Sequence, residues 1–123
     1  MQVVIYGKAV KKANLEFIQI LFDTLHDRDI NVFVYQPYLK QLDDSVNFKK
    51  DVGVFEGHLD LKIKNIDFMI TLGGDGTILN AISEIRDSGV PVMGINLGRL
   101  GFLASIEKSS IVSAIDLLLH DRF

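Results

Sequence analysis

Residues 65–79 read Asn65-Ile66-Asp67-Phe68-Met69-Ile70-Thr71-Leu72-Gly73-Gly74-Asp75-Gly76-Thr77-Ile78-Leu79. Up to Leu72 the run is nearly continuous in apolar character, which is how a strand buried on both faces reads. Gly73 and Gly74 stop it at once. Beyond Gly76, the residues Ile78, Leu79, Ile82 and Ile85 recur at helical spacing until Ser88-Gly89. Strand, glycine turn and helix in direct succession are the unit of doubly wound α/β sheets.

The same grammar extends outward in both directions. Residues 2–6 form a short β-branched run closed by Gly7, and Leu15, Ile18, Leu21, Phe22 and Leu25 mark a helix within residues 11–28. Residues 30–35 read as a second strand stopped by Pro37, residues 90–95 as another, and Ile111, Ile115, Leu118 and Leu119 as a last helix. The expected fold is therefore α/β: a doubly wound, mostly parallel sheet flanked by helices, with ligands off the carboxyl ends of the strands. Residues 37–65 are polar and lack a clear period, and predict an irregular helix or a mobile loop. Leu117, Leu118 and Leu119 are expected in the core, or partly facing another domain.

Composition narrows the function. At 123 residues the chain predicts one domain, and with 48% hydrophobic and 24% charged residues it is an ordinary globular composition. The net charge of −3 gives no broad attraction for nucleic acid or an anionic membrane. The absence of Cys excludes disulfides and thiolate chemistry. No apolar run reaches the roughly 20 residues of a membrane span, and residues 1–6 read as a strand rather than a signal peptide. His26, His58 and His120 are scattered without metal-ligand spacing and are expected at the surface or at helix ends. Asp43-Asp44 reads as a solvated loop.

Glycines allow close approach of another group, and backbone N–H groups at a helix start bind anions, so residues 73–77 suit a phosphate. Two familiar phosphate loops do not fit. Gly74 and Gly76 match the first two glycines of a dinucleotide fingerprint, but the third place is Leu79, and no Gly-Lys-Ser/Thr triplet exists. The loop instead has a carboxylate, Asp75, at its centre. It either holds Mg²⁺ or takes a proton from a hydroxyl attacking phosphorus. Its ordinary alternative is a turn or cap, with Thr77 also able to cap the helix. A second cluster, Gly94-Ile95-Asn96-Leu97-Gly98-Arg99-Leu100-Gly101-Phe102-Leu103, follows the next strand and should emerge at the same edge. Asn96 brings a donor and an acceptor, and Phe102 a flat face for a base or nicotinamide; the ordinary alternative, favoured for this cluster taken alone, is a glycine-rich turn whose Leu and Phe complete the core. Lys8, just after the first strand, lies near that edge and is a weaker candidate for a phosphate contact.

The two clusters together resemble the N-terminal domain of the NAD kinases, over the whole chain in layout and most closely over residues 68–104. The resemblance implies transfer of the γ-phosphoryl group of ATP to the 2′-hydroxyl of the adenosine ribose of NAD, giving NADP. It implies that Asp75 accepts the proton of that hydroxyl. Gly74 and Gly76 would bring backbone close to phosphate or ribose, Gly73, Asp75 and Thr77 would belong to the same nucleotide-binding loop, Asn96 would shape the loop around the NAD site, and Phe102 would line its adenine side. Mg²⁺ or another divalent cation would accompany ATP, with no separate metal site in the protein. A homo-oligomer of the full-length protein is also implied, and a cytoplasmic location is the expectation that agrees with the absence of Cys.

The family carries a second, β-rich domain with an Asn-acidic motif that grips the NAD ribose. Here the Asn residues precede Leu15, Val32, Phe48, Ile66, Ala81 and Leu97, so that motif is absent. Residues 1–123 are therefore expected to be the N-terminal α/β domain alone, without the β-rich domain and inactive by itself. Rival readings are a lipid kinase of the diacylglycerol type, whose loop resembles residues 73–77, and a non-catalytic nucleotide-binding domain. A receiver domain would need an acidic cluster, and a flavodoxin-like module a Ser/Thr-rich loop, where the chain has Gly7-Lys8-Ala9.

Overall fold

Val3, Val4, Ile5, Met69 and Ile70 have no exposed surface, as expected of central strands covered on both sides. The structure, a computed structural model, describes residues 1–86, 88–96, 106–107 and 110–120. Its strands are β1 (Gln2–Gly7), β2 (Asn31–Tyr35), β3 (Gly53–Phe55), β4 (Phe68–Gly73), β5 (Val92–Asn96) and β6 (Ile106–Glu107). All pair in parallel, in the order β3-β2-β1-β4-β5-β6. The helices are α1 (Leu15–Asp27), α2 (Gln36–Leu42), α3 (Asp60–Ile63), α4 (Asp75–Ile85) and α5 (Ile111–Leu119). This is the doubly wound sheet expected from the sequence, in the strand order of the dinucleotide-binding folds.

Alternation along each strand divides the core in two. Val3, Ile5, Phe68, Ile70 and Leu72 meet Phe22 and Leu25 of α1, Tyr38 of α2 and Ile115 of α5. Val4, Tyr6 and Met69 meet Leu61 of α3 and Ala81 and Ile85 of α4. Thus α1 and α4 lie on opposite faces. The chain leaves β1 toward β2 and leaves β4 toward β5, and the two departures part between β1 and β4. That boundary is the switch point at which such sheets bind ligands.

The polar stretch between Pro37 and Asn65 bears out the helical alternative and holds more regular structure than expected. It contains most of α2, a 3₁₀ turn (Asp43–Ser45), the edge strand β3 and α3. Pro37 stops β2 but stands in the first turn of α2, where its missing N–H costs nothing. Residues 47–50 are fastened to α1. The Gln19 amide donates to the Asn47 carbonyl at 2.7 Å and accepts from the Asn47 N–H at 2.9 Å. Phe48 packs edge-on against Phe22, and Lys49 and Lys50 pair with Asp27 and Asp29. At the other end of the chain, Leu117 and Leu119 are 56% and 37% exposed and do not join the core.

His26 stands at a helix end as expected, in the last turn of α1, but it is only 2% exposed, and among the described residues neither ring nitrogen has a hydrogen-bond partner. Burial, then the nearby Lys50, holds its proton affinity below the ordinary histidine range. The unfolded chain takes up this proton near pH 6.5, while the folded protein resists until a lower pH. Stability is therefore expected to be intact above about pH 6.5 and to fall as the pH drops below it. Melting temperatures across that range should show the decline, and His26→Phe should flatten it. An identical decline in the variant would assign the effect to other groups.

Candidate functional site

The glycine loop lies beside the switch point, at the carboxyl end of β4. Gly73 ends the strand, Gly74 is the N-cap of α4, and Asp75 opens the helix. The N–H groups of Thr77 and Ile78 bond to the Gly74 carbonyl at 3.1 and 3.3 Å. A glycine cap has no side chain to satisfy the earlier first-turn N–H groups, which leaves them as donors for an anion. Asp75-Gly76 is thus the start of a helix and not a turn pair. Thr77 sits inside the first turn and makes no capping bond, contrary to its expected alternative role.

The glycines divide by what holds them. Gly73 has φ +149°, and a Cβ there would lie 2.4 Å from Thr77 Oγ1, so the turn itself requires glycine. Gly74 and Gly76 have no positive φ, and a Cβ at either would meet nothing within 4 Å. No contact of the described chain demands glycine at these two places. Both are exposed at the ligand edge.

The described start of the second cluster ends at the same edge through register: Asn96, the last residue of β5, pairs with Gly73. Gly94 serves packing: a Cβ there would lie 2.7 Å from Ile78 Cδ1, and α4 settles closely on β5. Phe102 and Arg99 lie outside the described residues. Among the described residues there is no cluster of three or more His, Cys, Asp or Glu able to hold a metal, and no helix is long and apolar enough to cross a membrane.

The sequence reading missed Gln41 of α2, which holds the loop after β1. Its Oε1 accepts from the Val10 N–H at 2.9 Å, and its Nε2 donates to the Lys8 carbonyl. A lone glutamine in a polar stretch has no motif by which to find it. Lys8 is exposed, one residue past the end of β1.

Comparison with known proteins gives this geometry a family context. The ATP-NAD kinase N-terminal domain model matches residues 3–123. An NAD kinase of Christiangramia forsetii is 37% identical over 123 residues, covering 100% of this chain and 42% of the relative. An NAD kinase of Flavobacterium psychrophilum is 32% identical over the same span and coverage. The chain thus spans about two-fifths of the length of these curated relatives. A crystal structure of yeast NADH kinase complexed with NADH matches with a TM-score of 0.79 at 24% identity, over 99% of this chain and 38% of the other, which supports the fold.

Proposed function

Because the chain belongs to the ATP-NAD kinase family, we propose that residues 1–123 are the N-terminal domain of a two-domain kinase that phosphorylates NAD to NADP with ATP. The observation that carries this reading is the open backbone at Gly74 and Gly76, beside Asn96, where α4 begins without a side-chain cap. A phosphate or ribose can approach there without meeting a side chain of the loop's glycines.

In this reading the 2′-hydroxyl oxygen of the adenosine ribose attacks the γ-phosphorus of ATP. The new O–P bond forms as the bond to the β–γ bridging oxygen breaks, and ADP leaves. Asp75 accepts the hydroxyl proton, and the first-turn N–H groups stabilise phosphate charge. Asn96 shapes the adjoining loop, and Phe102 lines the adenine side. Mg²⁺ fits this donor set as a companion of ATP, since it is commonly held by phosphates and water with few protein ligands. Bound so, it would neutralise charge on the transferring phosphoryl group. The kinase would act in the cytoplasm as a homo-oligomer.

Much of the rate of such a transfer comes from holding both substrates in register. One domain with one open face supplies only part of that grip. Residues 1–123 alone are therefore expected to fold yet form no measurable NADP from ATP, Mg²⁺ and NAD, while a protein carrying the β-rich domain as well is active. NADP formation by the single domain at a comparable rate would place the whole active site within these residues.

A further inference from the structure

We propose that Lys8, held in place by Gln41, grips a pyrophosphate group in the crevice between β1 and β4. The inference rests on the kinase reading above and adds a binding residue on the far side of the crevice from the glycine loop.

Placement comes from topology. Gly7 pairs with Leu72, so Lys8 follows β1 at the level where Gly73 follows Leu72 in β4. The two chains then turn to opposite faces of the sheet, α1 on one and α4 on the other. Lys8 and the glycine loop therefore stand at the two lips of one crevice.

Charge agrees. The loop after β1 carries Lys8, Lys11 and Lys12, all exposed, and no acidic residue occurs before Glu16, although acidic residues outnumber Lys and Arg by 16 to 13 in the whole chain. The ion pairs among the described residues are Arg28–Asp116, Lys49–Asp27 and Lys50–Asp29, and none uses these lysines. The switch-point edge thus has a positive lip on an otherwise acidic protein, which favours an anion there.

The loop is also held still. Gln41 is exposed and adds nothing to the core, yet both ends of its amide are committed to backbone: Val10 N–H on one side, the Lys8 and Pro37 carbonyls on the other. One turn earlier on α2, the fully buried Tyr38 lays its ring on Gly7, where a Cβ would lie 2.5 Å from Cε1. So α2 fixes the last residue of β1 and the first residues beyond it. A loop that only connected β1 to α1 across solvent would need no such fastening. A lysine on a preorganised loop loses less freedom when it closes on a phosphate.

A pyrophosphate can come from ATP or from NAD, and the test separates them. In the two-domain protein, binding of Mg-ATP and of NAD is measured separately by calorimetry, beside KM for each and the melting temperature. Lys8→Met is expected to weaken one nucleotide by about ten-fold or more, the scale of a lost charged hydrogen bond, with an unchanged melting temperature. Loss confined to Mg-ATP assigns Lys8 to the donor, and loss confined to NAD assigns it to the acceptor. Lys8→Arg should retain most of the affinity. Gln41 is a positioning residue: Gln41→Leu should give a smaller loss for the same nucleotide and faster hydrogen exchange at the Val10 amide. Wild-type affinities for both nucleotides in Lys8→Met would overturn the inference and leave the kinase reading intact. A parent protein that binds neither nucleotide would overturn both.

Discussion

Asp75→Asn in the two-domain protein is expected to lower turnover by about 10²-fold or more while nucleotide binding and melting temperature stay close to those of the parent. The asparagine keeps the size of the side chain and removes its capacity to take a proton, and a general base contributes about 10²–10⁴-fold. The position gives the carboxylate a structural role as well. Asp75 is the first residue of α4, where a carboxylate also stabilises a helix through its dipole. The two roles separate in the measurement. A helix-dipole role would appear as a lower melting temperature with turnover preserved per folded molecule. A proton-accepting role would appear in turnover alone, and near-normal turnover would remove Asp75 from the mechanism.

Gly76→Ala is expected to give a protein at least as stable as the parent and severely weakened toward nucleotide, by ten-fold or more in affinity. Gly76 lies within α4, and alanine is favoured over glycine in a helix by up to about 1 kcal/mol. The added methyl meets no atom of the described chain within 4 Å. Among the described residues it has no obstacle, and the open space is where phosphate or ribose is proposed to lie. Gly73→Ala should behave in the opposite sense. Its φ of +149° and the contact with Thr77 should cost about 1–3 kcal/mol of stability whatever the ligand does. Thermal melts and calorimetric titrations of the pair make the comparison. Unchanged binding in Gly76→Ala would mean that no group approaches the loop there.

How much of this was legible before the structure depends on whether information sits in a repeating pattern. β1, β4, α4 and β5 announce themselves, because strands covered on both faces must be apolar throughout and α4 must alternate at its own period. β3 does not, being three residues long at the sheet edge. Residues 47–50 are ordered by side-chain bonds to a helix many residues earlier, and such bonds leave no periodic trace. His26 is at a helix end as expected, but its burial was not foreseen, for a different reason. It stands four residues after Phe22, on the apolar side of α1, and that spacing alone was a signal of burial. Within the site, the glycine loop and the common edge shared with Asn96 were both readable. The division of labour among Gly73, Gly74 and Gly76 was not, because it depends on which Cβ would strike something.

The pairing of β1 with β4 also sets an order of assembly. The Gln2 N–H donates to the carboxylate of Asp67, 65 residues further along the chain, at the foot of that pairing. Contacts of such separation close slowly, because a long loop must lose its freedom before they repay it. During synthesis the first strand emerges early, yet only β2 is at hand to join it until residues 68–72 arrive. For most of that interval β1 has one open edge of unpaired N–H and C=O groups and little covering on the face that α4 later protects. One of the two central strands of the finished sheet is thus the one that waits longest for its second neighbour.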